Sequence, residues 1–386
     1  MSQASPSPLR IRFFLQIMLT NALAQMAVQM LNTTIVPHAV DMGYAASLAG
    51  ILSGAAFVCA LLLRPFSGLC TNGLDKRKLL MFALLLLLLS GLGLTLFSAY
   101  PLMLLTRALQ GAGYAFVTTL CMAIVADLLP PDHIGQGMGY FGLSQCIAQM
   151  AGPGAGLWLT SHLDYHAAYA VVSLLVVAAL VCGRFLPPLP PVQPLFFHPS
   201  MLRPDNLIAK ESLLPSTVGL LFSILNSCLG AFLALYATTL GLSGAGIFFL
   251  ISATVMFFTR LFGANTADRR SLRFTGLISG TLLITSMLLL GFGRSTATMW
   301  LAAVAFGTGY GFLLPVTQSR SVSAPPPEKH GTGSSTYFLG IDVGFCIGTI
   351  TGGFIVQHGG PALLYLCLIV PAVLAMTLCA LKGNDR

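Results

Sequence analysis

Asp342 stands in the run Tyr337-Phe-Leu-Gly-Ile-Asp342-Val-Gly344-Phe-Cys-Ile-Gly348, where it is the one carboxylate among apolar and small residues. An acid in such a setting can take up and release a proton as conditions on its two sides change. Arg107 is the second candidate, in Arg107-Ala-Leu-Gln110-Gly111-Ala-Gly113, also within an apolar run. A guanidinium there must face a cavity or a partner, because placing one at mid-bilayer costs about 2.5 to 3.5 kcal/mol. Uncharged polar groups form a third set. Asn21, Gln25, Gln29 and Asn32 recur at spacings of four, four and three, which puts four amides on one helical face. Ser216, Ser223, Asn226 and Gly230 make a weaker counterpart later in the chain, and Tyr114 and Tyr310 add aromatic surface. In lipid, four amides on one face would go largely unsatisfied, so this face is expected to look into a central cavity.

The elements that position these groups must cross a membrane. With 56% hydrophobic residues, 8% charged ones and a mean hydropathy of +0.85, the 386-residue chain cannot be a soluble domain. Apolar stretches of about 20 residues, enough to span the roughly 30 Å hydrocarbon layer, recur between short polar breaks. They fall near 11–36, 44–66, 79–98, 101–128, 136–160 and 167–187, then near 213–239, 244–264, 274–292, 296–318, 332–356 and 362–381. From a start near 332, Asp342 is expected about 15 Å deep at 1.5 Å per residue.

The twelve stretches are a doubled six. Gly111-Ala-Gly-Tyr-Ala-Phe116 returns as Gly307-Thr-Gly-Tyr-Gly-Phe312, an offset of 307 − 111 = 196. The same offset relates Arg64 to Arg260, Gly50 to Gly246, Gly135 to Gly331, and Gly152 and Gly156 to Gly348 and Gly352. A duplication with both halves running in the same direction follows. The expected architecture is an all-α membrane protein of twelve transmembrane helices in two parallel six-helix repeats. The halves are 1–187 and 213–386, joined by a proline-rich linker over 188–212.

Basic residues set the orientation. Arg10, Arg12, Lys76, Arg77, Lys78, Arg184, Arg203, Lys210, Arg269, Arg270, Arg273, Arg320, Lys329, Lys382 and Arg386 share one side if the spans alternate, so both termini are expected in the cytoplasm. Topology alone accounts for the net charge of +8, without nucleic acid as a partner. The nine cysteines lack paired or metal-ligand spacing and read as small packing residues. His38, His162, His166 and His358 read as solvated side chains of the opposite side, with no metal site. The first span lacks a small-residue cleavage site and is read as a retained helix. No phosphate-cradling Gly-x4-Gly-Lys loop is present, so no ATPase domain in this chain drives it, no enzyme signature survives, and no cofactor is expected.

Three local motifs carry a resemblance. Arg64-Pro-Phe-Ser-Gly68-Leu-Cys-Thr-Asn72-Gly-Leu-Asp75-Lys76-Arg77-Lys78 and Arg260-Leu-Phe-Gly-Ala-Asn-Thr-Ala-Asp268-Arg269-Arg270 are loop motifs with an acid, or here Asn72, four residues after a small residue. Arg107-Ala-Leu-Gln110-Gly111-Ala-Gly113 is an Arg-x-x-Gln-Gly-x-Gly motif. Gly139, Ala148, Gly152-Pro153 and Gly156 follow a glycine pattern in which Ala148 and Leu157 replace two glycines. With twelve spans in two parallel halves, the whole chain resembles the major facilitator superfamily, and most closely its bacterial exporters.

The resemblance implies a secondary transporter in the bacterial inner membrane, energised by protons and functional as a monomer. Its likeness to proton-coupled members assigns coupling to Arg107 and Asp342. The loop residues Arg64, Gly68, Asn72, Asp75, Arg77, Asp127, Arg260, Asp268 and Arg269 are assigned to gating, with Asp127 expected to pair with Arg64 or Arg77. Loss of the carboxylate at Asn72 is expected to weaken the first latch and shift reliance to Asp75. Gly139, Gly152, Pro153 and Gly156 are expected to bring the fifth helix against a helix of the other half, and Gly348 and Gly352 are their counterparts. Asn21, Gln25, Gln29, Asn32, Gln110, Tyr114, Asn226 and Tyr310 are expected to line a cavity suited to a neutral or zwitterionic amphiphile. Proton-coupled export of such compounds is the leading expectation; facilitated or proton-coupled nutrient uptake and lipid flipping are the alternatives.

Overall fold

The computed structural model describes residues 8–44, 46–191, 207–242, 245–263 and 271–383. Among them are twelve α-helices: α1 (Pro8–Asp41), α2 (Ala46–Gly73), α3 (Lys76–Leu96), α4 (Tyr100–Leu128), α5 (Ile134–His162), α6 (Tyr165–Arg184), α7 (Leu213–Thr239), α8 (Ala245–Gly263), α9 (Leu272–Phe292), α10 (Thr296–Ser323), α11 (His330–Cys367) and α12 (Ile369–Lys382). Helices are what a bilayer demands, since lipid offers no partner for a bare N–H or C=O. Ten stretches are long and apolar enough to cross unaided. The apolar part of α8, Gly246–Phe262, is shorter, and α5 carries Gln136, Gln145, Gln149 and several glycines within its length.

Helix ends follow local chemistry. Asp75 caps α3 by accepting from the Lys78 N–H at 3.0 Å, and Asp164 caps α6 through Ala167. Ser295 and Thr298 form a reciprocal capping box at the start of α10. Helical hydrogen bonding runs through α11 as far as Cys367, but Gly360 has φ 79° and ψ 167°, so the chain turns there. A residue with a Cβ would be strained at that φ. The apolar stretches Pro327–Val356 and His358–Lys382 are accordingly two separate crossings.

The helices form two compact units. One comprises Met1–Pro130, Ser144–Ala209 and Pro325–Ser335; the other comprises Pro131–Leu143, Lys210–Ala324 and Thr336–Arg386. The duplication is visible in packing. Within the first unit α4 packs on α2, α3 and α1, and α6 on α1 and α3; within the second α10 packs on α8, α9 and α7, and α12 on α7 and α9. The units depart from the sequence halves at equivalent places, because the start of α5 clusters with the second unit and the start of α11 with the first.

The core of the first unit lies along α4, which buries Met103, Val117, Leu120, Met122 and Ile124 and packs on α3, where Leu80, Leu84 and Leu87 are buried. In the second, Leu283, Met287 and Leu290 of α9 and Met299, Ala302 and Ala303 of α10 are buried, and the two helices pack together. Leu85, Leu89, Val181, Ile350 and Phe354 are exposed, as apolar side chains directed at lipid should be.

Candidate functional site

Arg107 is fully buried on α4, and its fork is spread over three helices. Nε donates to the Leu52 carbonyl at 3.1 Å and Nη2 to the Ser53 carbonyl at 2.9 Å, both on α2. Nη1 donates to Asn32 Oδ1 of α1 at 3.1 Å and to Gln110 Oε1 one turn along α4. Gln110 in turn donates to the same Asn32 oxygen at 3.2 Å. A planar guanidinium reaches carbonyls and amides in these directions at once, which a lysine cannot. The close approach of α2 and α4 depends on Gly111, where a Cβ would lie 2.8 Å from the Ala56 carbonyl carbon.

The four amides of α1 do not act alike. Asn21 is fully buried and donates to Ser144 Oγ of α5 at 2.7 Å, so it ties helices together; Asn32 belongs to the Arg107 network. Gln25 and Gln29 are half-buried, with the Gln29 Cβ lying where a side chain at Gly152 would have to go. Gly152 and Gly156, with Pro153 between them, lie against Met26, Gln29, Met30, Thr33 and Thr34 of α1. Gly152 and Gly156 therefore pack on a helix of their own half, contrary to expectation, because they leave room beside the α1 backbone. Gly139 is buried in the part of α5 that clusters with the second unit.

A polar cluster occupies the basic end of the first unit. Asp127 pairs with Lys76 through Oδ2 and with His330 through Oδ1 at 2.8 Å. Neither expected partner takes part. Arg64 is buried, with its guanidinium carbon 5.0 Å from the Tyr114 ring centroid, and donates to the Ala115 carbonyl and to Thr118 Oγ1; Arg77 donates to the Arg184 carbonyl at 2.6 Å. Asn72 Oδ1 accepts from the backbone N–H of Gly331 at 2.7 Å and of Thr332 at 3.3 Å, while its amide donates to Thr332 Oγ1. Gly68 lies where any side chain would collide with Ser335. Asp75 is engaged as the cap of α3 and takes no part in this latch.

In the second unit Asp342 is half-buried on α11, twelve residues after His330 and so about 18 Å along the helix. The glycines around it form one ridge. Gly340 lies against Ser216, Gly344 against Leu220 and Ser223, Gly348 against Ile224 and Ser227, and Gly352 against Cys228 and Phe232, all on α7. Asn226 of α7 is half-buried, and Tyr310 of α10 is buried and stacked on Phe306 with centroids 5.4 Å apart. Asp268 and Arg269 lie outside the described residues.

The sequence and the fold have known counterparts. The family model described as the Major Facilitator Superfamily matches residues 17–349. The chain belongs to the major facilitator superfamily. It is 25% identical over 351 residues to the MFS-type transporter YhhS of Escherichia coli (strain K12), covering 87% of this chain and 84% of that one. It is 23% identical over 261 residues to the staphylopine export protein of Staphylococcus aureus (strain Mu50 / ATCC 700699), 64% of each chain. The fold matches the human organic anion transporter MFSD10 with a TM-score of 0.82 at 20% identity, covering 96% of this chain and 100% of that one. It matches the proton:xylose symporter XylE with a TM-score of 0.78 at 13% identity, covering 97% and 96%.

As a member of the superfamily, the protein departs from the loop motif at Asn72, and its neighbours show why the position still functions as a contact. An amide oxygen accepts the same two N–H groups a carboxylate would, and the amide adds a donor to Thr332. His330 escaped the sequence reading because its repeat equivalent, by 330 − 196 = 134, is Ile134, so the duplication gives no hint of it. His38 was read as solvated, yet it is 5% exposed and hydrogen-bonds Tyr169 at 2.9 Å under a stacked Tyr165 ring. His162, His166 and His358 are exposed.

Proposed function

We propose that the protein exports small amphiphilic organic compounds in exchange for protons, by alternating access, with the basic helix ends in the cytoplasm. Asp342 carries this reading: a half-buried acid well inside a membrane-crossing stretch. Such residues are rarely retained in spans without a role in moving ions or substrate. A proton moving down the gradient supplies about 2.3 kcal/mol per 100 mV. The likeness to an exporter of staphylopine over 64% of the chain favours the outward direction. Gln25 and Gln29 in the first unit, and separately Asn226 in the second, are half-buried amides without charge, which suit a neutral or zwitterionic compound.

The test is a liposome assay with the purified protein, an internal pH dye and an imposed proton gradient, adding a panel of amphiphiles. Compounds that move protons in the wild type and not in Asp342→Asn, at equal protein content, establish coupled exchange through Asp342. Equal substrate flux in both proteins without proton movement would remove the proton from the mechanism and leave a facilitator.

A further inference from the structure

Arg260 is 2% exposed, and its Nε and Nη1 have no hydrogen-bond partner. Its repeat equivalent makes the contrast informative. Arg64, at 260 − 196, donates to the Ala115 carbonyl and to Thr118 Oγ1. The positions equivalent to Ala115 and Thr118 are Gly311 and Leu314, so a leucine replaces the hydroxyl that accepts from Arg64. The aromatic partner is kept, since Tyr114 corresponds to Tyr310. Arg260 therefore occupies the repeat position of Arg64 with the hydroxyl acceptor removed.

Its surroundings leave two of its donors without an acceptor. Gly142 lies against the guanidinium so closely that a Cβ there would meet Nη1 and lie 2.8 Å from Cζ. Tyr310 and Tyr337 are within electrostatic reach, and the Tyr337 hydroxyl is already paired with Thr317 Oγ1 at 3.1 Å. Among the described residues no carboxylate forms an ion pair with Arg260. A buried cation without acceptors is costly, and an incoming anion recovers that cost in a charge-assisted, two-pronged hydrogen bond.

We propose that Arg260 is the docking point for one anionic group, a carboxylate or sulfonate, on the transported compound. The substrate class thereby shifts from neutral or zwitterionic amphiphiles to zwitterions and monoanions. The proposal rests on the transport reading above but not on proton coupling. Glycine at 142 serves the site because the guanidinium fills the space that a side chain there would need, and Tyr310 and Tyr337 are its aromatic neighbours.

Full-length protein in an uncharged detergent is titrated with 2-naphthoate and, as its neutral match, 2-naphthamide, following the thermal unfolding midpoint. Naphthoate should raise the midpoint saturably and naphthamide should not. Arg260→Gln should abolish the naphthoate response. Leu314→Thr keeps the cation but returns the internal acceptor seen beside Arg64, and should weaken naphthoate about tenfold, the scale of one charge-assisted hydrogen bond. This variant decides the matter if Arg260→Gln does not fold. Equal responses to acid and amide, or a naphthoate response unchanged in Leu314→Thr, would overturn the proposal. Stabilisation through Arg260 by phosphatidylglycerol and not by naphthoate would also overturn it, assigning the site to a lipid headgroup. Failure of proton coupling in liposomes with naphthoate binding intact would instead count against Asp342 alone.

Discussion

At the scale of single residues, the contacts of Asn72 lead to a prediction opposite to the one its identity suggests. The sequence marks it as a lost acid, hence a weaker latch. In the structure its oxygen accepts from two backbone N–H groups at the first turn of α11, where the helix dipole favours negative charge. Asn72→Asp keeps both acceptor bonds, and the Thr332 hydroxyl can rotate to donate in place of accepting. The added charge contributes about 0.3 to 1 kcal/mol, which corresponds to roughly 1 to 3 °C in unfolding midpoint. Slower hydrogen exchange at residues 331–335 should accompany it. An unchanged or lower midpoint would mean that the amide donor to Thr332 outweighs the charge. Asp127 was legible as an acid neighbouring the loop motif, but Lys76 and His330 as its partners were not. One partner lies 203 positions away in sequence, and no local spacing reports such a pairing.

At the scale of helices, glycine positions were legible and their partners only partly so. Gly111 and Gly307 announce the duplication, and both do the same work. Gly111 meets the Ala56 backbone and Gly307 the Ser252 backbone, positions again separated by 252 − 56 = 196. Backbone cannot move aside as the tip of a side chain can, so Gly111→Ala and Gly307→Ala should each destabilise by about 1 to 3 kcal/mol through overpacking. Gly54→Ala, on the same α2 helix but with nothing within 4 Å of the added methyl, should be neutral or stabilising by up to about 1 kcal/mol from helix propensity. Thermal unfolding of the three variants checks the contrast, and a similar loss in all three would show that crossing distance is not what these glycines protect. Gly152 and Gly156 lie against α1 of their own half and not against the other half, because a small-residue pattern specifies close approach and not the identity of the neighbour, whereas Gly139 clusters with the second unit.

At the scale of the whole molecule, the repeat and the twelve helices were readable from hydropathy and a fixed offset, because lipid leaves the backbone few alternatives. The exchange of short segments between the units was not. Cutting the chain in the linker, into 1–191 and 207–386, would leave the first fragment without residues 325–335, which cluster with it in the intact protein. Asp127 would then lose His330, and Asn72 would lose the two N–H groups it accepts from. The 207–386 fragment would similarly lack 131–143, including Gly142 against Arg260. Each fragment alone should therefore be degraded or unfold well below the intact protein, whereas co-expression should restore both and allow an affinity tag on one to retain the other through washing. Recovery of 1–191 alone with an unfolding midpoint equal to that of the co-expressed pair would show that the halves are self-sufficient. The duplicated six-helix unit would then be a folding unit in its own right, and the segment exchange would matter to the transport cycle rather than to stability.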